Sequence, residues 1–367
     1  MKYIDEYRNK SIIKNLSNKI HKITPRDKRI AFMEVCGTHT QSFFKFGIGS
    51  LLPENIEILS GPGCPVCVSS QGYMDKAIEY SRLKDTIIAT FGDMMRVPGT
   101  NSSLEKQKAK GASIKVVYSS LDALKIAKNN PSKKIIFLAV GFETTIPTTA
   151  LTILQAKKEK INNFFVLCSH KLIPPAMEII ASDKKLNLQG FICPGHVSVI
   201  IGSRPYEKVA KDFGIPCVVA GFEPLDLLES LLYLVEQVNK KKSEVIIQYR
   251  RVVKKEGNPQ AKRIVSGIFD VCDSDWRGLG IIKKSALRLK KEFSSFDAER
   301  KIPVKIKQIK TLKTKCLCGE VLKGKIRPPK CPSFAKACSP KNPLGPCMVS
   351  VEGTCGIYYR HAHRRAF

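Results

Sequence analysis

The sequence predicts an α/β protein of two similar doubly wound parallel-sheet domains, followed by a cysteine-rich C-terminal domain. Three observations predict it. Short apolar runs alternate with amphipathic stretches, the pattern of parallel strands joined by helices that cover both faces of a sheet. The runs recur: Phe142 follows Cys36 by 106 residues, and Ala220 follows Val117 by 103, in matching contexts. Finally, six of the 13 cysteines crowd into the segment from Cys316 to Cys355, among many Gly and Pro residues.

Taken in order, residues 4–23 carry Ile12, Ile13, Leu16 and Ile20 at helical spacing. This N-terminal helix, within 1–27, is expected to pack on the C-terminal domain. The first α/β domain spans 28–131, with strands at "RIAFMEV", "IEILSGP", "TIIATFG" and "SIKVVYS". The second spans 132–240, with strands at "KIIFLAVG", "NFFVLCS", "GFICPG" and "IPCVVAGF" and a closing helix over 224–239. Residues 241–367 form the third region.

Such sheets present ligand-binding groups at the carboxyl ends of their strands. The distinctive loops "CGTHT", "GPGCPVC", "GDMMRVPG", "GFETTIPTT", "SHKLIPP" and "PGHVS" all fall there. Cys36 at a strand exit, beside Gly37, Thr38 and His39, suits an exposed thiolate with hydrogen-bond donors at hand; the alternative is a buried structural cysteine. Cys64 and Cys67 have the spacing of a redox pair or of half a metal site. Glu143 is either an acid offered at a strand exit or a helix cap. His170 and His196 follow strands, and Asp93 and Arg96 either orient a ligand or pair. No phosphate-binding glycine motif is present, so nucleotide binding has no support in the sequence.

The C-terminal cysteines have too little regular core around them to hold a fold without a metal. Thiols without nearby histidines favour an iron–sulfur cluster, with zinc as competitor. Six sulfurs exceed the four a cubane takes, leaving two for another task. The net charge of +30, from 62 basic and 32 acidic residues, suggests acidic partners or nucleic acid, against the stronger reading of solvated helix faces. The lysines are scattered, however, and aromatic residues do not interleave with them, so nucleic acid is not an expected partner. Apolar runs are too short to span a bilayer, and "MKYIDEYRNKSIIKNL" lacks an apolar signal core. The expected location is the cytoplasm, away from membranes.

"CGTHT", "GPGCPVC", "GFETT", "PGHVS" and the cysteine array, in this order from about residue 28 to about 360, resemble the HypD family of hydrogenase maturation factors. The resemblance implies a scaffold for the Fe(CN)2CO group of nickel–iron hydrogenases, working with a small chaperone, HypC, and taking cyanide from HypE. The family's cluster motif falls on Cys316, Cys331, Cys338 and Cys355 with its spacing intact, implying a [4Fe–4S] cluster and an iron–sulfur domain. Cys318 and Cys347 would then be a dithiol–disulfide pair beside it. Cys36, Cys64 and Cys67 fall on the iron-handling cysteines, Cys36 as principal thiolate for the transient Fe(CN)2CO, with Thr38 and His39 able to hydrogen-bond it and Glu143 as a further candidate catalytic residue. Cys168, Cys193, Cys217 and Cys272 match no cluster position and read as buried apolar residues. The runner-up is a stand-alone iron–sulfur thiol–disulfide oxidoreductase; a nucleic-acid-binding iron–sulfur protein rests on charge alone.

Overall fold

A computed structural model describes residues 4–305 and 315–362. All eight expected strands form: β1 (Ile30–Glu34), β2 (Ile56–Ser60), β3 (Thr86–Thr90), β4 (Ile114–Val116), β5 (Lys134–Gly141), β6 (Phe164–His170), β7 (Gly190–Pro194) and β8 (Cys217–Ala220). β9 (Val245–Ile247) follows, then β10 (Phe269–Trp276) and β11 (Gly280–Leu289). β1, β3 and β7 are buried at every position. That is why they read as continuous apolar runs rather than as alternation.

The strands form two parallel sheets, but the division at residue 131 is wrong. One sheet has the order β2-β1-β7-β8-β9 and the other β4-β3-β5-β6. Each therefore takes strands from both halves of the chain. The internal repeat survives this correction. Matching β1 to β5, β2 to β6, β3 to β7 and β4 to β8 converts β2-β1-β7-β8 into β6-β5-β3-β4, which is the second sheet. The two repeats have exchanged their second strand pairs. Hydropathy along a strand encodes its burial, not which neighbour it pairs with, so a sequential division and an interleaved one look alike in sequence.

Apolar side chains fill three layers. One lies between the sheets and includes Met33, Leu138, Phe191 and Val219. A second covers the outer face of the β4-β3-β5-β6 sheet. In the third, Ile20 of the N-terminal helix Lys10–Ile23 joins Leu227, Leu231 and Val235 of the helix Pro224–Asn239. Asn239 Nδ2 donates to Ile23 O at 2.8 Å and Lys19 reaches Glu236 at 3.5 Å. The N-terminal helix thus packs on the closing helix of the α/β part, not on the C-terminal region as expected. The closing helix is apolar on more than the face the sheet covers, and this second face needs a partner.

Beyond residue 240 the chain departs further from the α/β pattern. β10 and β11 form an antiparallel hairpin that leans on β6, where Leu172 N donates to Ser285 O at 2.9 Å. Cys318, Cys338, Cys347, Met348 and Cys355 join the layer between the sheets. Among the described residues no helix is long and apolar enough to cross a membrane.

Candidate functional site

A cavity of about 580 Å³ opens between the sheets. It is walled by the strand exits of both: Cys36 after β1, Asp93 after β3, Phe142 and Thr145 after β5, and His196 after β7. Gly63 and Pro65 of the CxxC loop and Glu352 of the C-terminal segment complete it. Exits from both sheets, and from both repeats, thus line one cavity.

Cys36 caps the helix Gly37–Lys45. Against expectation it is buried, 8% exposed, and burial pushes its thiol up to about 12, with Glu352 adding to the shift. The strand exit is roofed by Glu352, whose backbone a Cβ on Gly37 would overlap. The thiol does face hydrogen-bond donors, but they are the backbone amides of His39 and Thr38 rather than their side chains. The Thr38 hydroxyl donates to Glu352 Oε1 at 3.1 Å. His39 Nε2 lies 3.0 Å from Gly221 O and 3.3 Å from Ala220 O, and burial lowers the ring to about 4, so it is a neutral donor that ties this helix to the β8 exit. His39 and His196 both stack on Phe222, at 4.7 and 4.0 Å between ring centroids.

Glu34 went unnoticed in sequence. It is 1% exposed; Oε2 accepts from Cys36 N at 2.9 Å and Oε1 accepts from the Thr40 hydroxyl. Its signal was a carboxylate inside an apolar run, "FMEV".

Cys64 and Cys67 are joined in a disulfide, with their Cα atoms 5.2 Å apart. Cys64 caps the short helix Pro65–Val68, and its sulfur accepts from Cys67 N at 3.1 Å. Gly63 lies so close to Cys36 that a Cβ would overlap the Cys36 amide, while Gly37 N donates to Gly63 O at 3.1 Å. The helix also packs on the turn Pro346–Met348, which carries Cys347. The disulfide therefore lies between Cys36 and the C-terminal cysteines.

Glu143 proves to be a cap, though of a later helix than its own. Oε1 accepts from Ile173 N at 3.0 Å at the start of the helix Ile173–Ser182, and Oε2 is buried without a partner. Burial raises the carboxyl to about 7. His170 is buried and bonded to Thr149 Oγ1 at 3.1 Å, away from the cavity. Asp93 and Arg96 do not pair. Asp93 accepts from Ser350 Oγ at 2.7 Å and Val351 N at 3.1 Å, and Arg96 donates to Pro340 O at 2.9 Å, so both fasten the C-terminal segment over the cavity.

In that segment the thiols of Cys316, Cys318, Cys347 and Cys355 form a chain of sulfur contacts. Cys338 lies within electrostatic reach of Cys355 and Cys331. Cys318, flanked by two thiol donors and reached by the charge of Arg277, is held well below the usual thiol range. Among the described residues no three His, Cys, Asp or Glu side chains are set to hold a single metal ion. A four-iron cluster makes a different demand, one thiolate per iron, so its ligands bracket a volume rather than a point. The donors gathered here are all thiols, the set that an iron–sulfur group takes. Cys193 and Cys217 are buried in the sheet core as expected; Cys168 and Cys272 are half-buried.

The HypD family model, described as "Hydrogenase formation hypA family", matches residues 11–362. The chain belongs to the HypD family. It is 43% identical to the hydrogenase maturation factor HypD of Cupriavidus necator, over 98% of this chain and 97% of that protein. Against the HypD of Escherichia coli it is 42% identical over the full length of both. Against that of Azotobacter vinelandii it is 44% identical, over all of this chain and 98% of the relative. The loops that line the cavity are those on which the resemblance rested.

Proposed function

We propose that this chain is a redox-active scaffold on which the Fe(CN)2CO group of nickel–iron hydrogenases is assembled. One observation carries the reading: Cys36, at a helix N-terminus, meets a cavity walled by both sheets, with the Cys64–Cys67 disulfide one loop away. Iron bearing cyanide and carbonyl is soft and takes thiolate. Binding the iron cargo would displace the Cys36 proton, and the amides of Thr38 and His39 would stabilise the resulting charge on sulfur. Val35, Val140 and Phe142 keep the surroundings apolar, and His196 lines the same space.

Assembly needs electrons. Reducing the disulfide takes two electrons and two protons and yields the Cys64 and Cys67 thiols; reoxidation to the disulfide returns both to the cargo. The contacting thiols of Cys318 and Cys347 are a second such pair, packed against the helix that carries Cys67. Cys316, Cys331, Cys338 and Cys355 would hold a [4Fe–4S] cluster, which supplies single-electron chemistry beside these thiols. The partners this reading requires are the small chaperone HypC, lending a further ligand, and HypE as cyanide donor.

The test is infrared spectroscopy of the protein copurified with its small partner. Cyanide and carbonyl bands are expected in the wild type and absent from Cys36→Ala, with fold and partner retained. Wild-type levels of hydrogenase maturation by Cys36→Ala would overturn the assignment. The disulfide's packing against the Cys347 turn also favours a second reading, a stand-alone thiol–disulfide oxidoreductase, which predicts turnover of a small disulfide by the isolated chain.

A further inference from the structure

The tip of the β10–β11 hairpin reaches both the CxxC helix and the C-terminal cysteine segment. Trp276, the chain's single tryptophan, is fully buried and stacks on Phe142 at 6.0 Å between centroids. Arg277 N donates to Val68 O at 2.9 Å, at the end of the helix that carries the CxxC disulfide. Gly278, with φ +84, lies flat on Gly319: a Cβ on Gly319 would come within 2.8 Å of the Gly278 Cα. The backbones on either side of Arg277 and Cys318 are therefore locked together.

The Arg277 guanidinium is left short of partners. Among the described residues it forms no ion pair; Nη2 is 3.5 Å from Gln71 Oε1, and Nη1 is buried with no acceptor. A buried N–H without an acceptor is disfavoured, and the most favourable acceptor for a guanidinium is an anionic one. Across the Gly278–Gly319 contact its neighbour in the chain is Cys318, the nearest point of the cysteine group. Four thiolates around an iron–sulfur group carry a net negative charge of the kind a fixed guanidinium balances.

We infer that Arg277 is a positioning residue of the iron–sulfur centre, its guanidinium held beside the cysteine group by the Gly278–Gly319 contact and by Val68, and that its charge raises the centre's reduction potential. The inference rests on the cluster assigned above to Cys316, Cys331, Cys338 and Cys355. One-electron reduction adds a negative charge without making or breaking a bond, and a neighbouring fixed positive charge favours the reduced form. Arginine keeps its charge throughout, so no proton is exchanged with it.

The experiment is an anaerobic redox titration of the reconstituted full-length protein with dithionite and mediators, followed by electron paramagnetic resonance. At the wild-type midpoint, Arg277→Gln is expected to show at least a tenfold smaller ratio of reduced to oxidised cluster, equivalent to about 59 mV for one electron. Arg277→Lys, which keeps the charge, is expected to titrate with the wild type. A ratio within twofold of wild type in Arg277→Gln overturns the inference. So does an Arg277→Lys protein shifted as far as the glutamine variant, since shape rather than charge would then decide. If Arg277→Gln loses the cluster while Arg277→Lys retains it, the charge requirement stands; loss from both overturns it. A wild-type protein that takes up no cluster overturns the underlying reading and the inference with it, whereas a cluster indifferent to Arg277 overturns the inference alone.

Discussion

Cys36 and Glu143 show how far a single residue can be read from its neighbours in sequence. Both were placed at strand exits, and both are there. Their environments differ from expectation because parts of the chain more than a hundred residues away, or the next helix along, close over them. For Glu143 this has a measurable consequence. Folded, its carboxyl holds a proton up to about pH 7; unfolded, it releases the proton near 4.5. Between those values the folded state binds more protons, so this group makes stability fall as pH rises, and the penalty is complete above pH 7. Glu143→Gln removes the titration. The stability difference between wild type and variant, from urea denaturation at pH 5 and pH 8, is expected to move by about 3 kcal/mol in the variant's favour at the higher pH; no change between the two pH values would show that the carboxyl is not desolvated. Gly63 offers a second residue-scale test. A Cβ there overlaps the Cys36 amide, whereas one on Gly72, inside the helix Gln71–Ser81, meets open space. Gly63→Ala is expected to lose about 1–3 kcal/mol by overpacking, and Gly72→Ala to gain about 0.4–1 kcal/mol through the unfolded chain. Equal effects in thermal melts would refute the close approach.

Among elements, strands were the most legible. Eight apolar runs were bounded by Gly, Pro and polar loops, and all eight formed strands. The hairpin β10–β11 was not legible. Asp270, Asp273 and Asp275 break its apolar signal, and the hairpin packs through buried Trp276 and against β6. The N-terminal helix was recognised by its periodicity, but not its partner, because an apolar stripe states that it will be covered and not by what. Its docking can be weighed directly. Ile20 is fully buried against the closing helix while Ile12 is 45% exposed. Ile20→Ala is expected to destabilise by about 2–5 kcal/mol, with Ile12→Ala close to neutral in the same chemical denaturation series. A helix docked elsewhere, or not docked, would make the two substitutions alike.

For the whole molecule, the exchange of strand pairs between the repeats decides how the chain can be divided. A fragment spanning 28–131 contains β1 to β4, yet β1 pairs with β7 and β3 pairs with β5, both outside it. Expressed alone, this fragment is expected to lack a cooperative unfolding transition and to show collapsed amide dispersion in NMR spectra. A fragment of 28–131 that folds by itself would mean that the two sheets are built sequentially after all. The same interleaving bears on the candidate site. The β1 and β3 exits of the first repeat and the β5 and β7 exits of the second line one cavity, and a change in either half is expected to be felt there.

The amino-acid sequence by itself determined the secondary-structure class, the positions of the strands, the twofold repeat and the family. These follow from local burial patterns and from loop residues whose identity is dictated where they stand: Gly37 and Gly63 against neighbouring backbone, and the paired cysteines at Cys64 and Cys67. The tertiary structure alone decided which strands share a sheet, what covers the N-terminal helix, that Cys36 is roofed by Glu352, and that Gly278 lies against Gly319. Each of these is a contact between distant segments whose local patterns are compatible with several partners. The choice among partners is made by packing and by the satisfaction of buried polar groups, which exist only once the chain has folded.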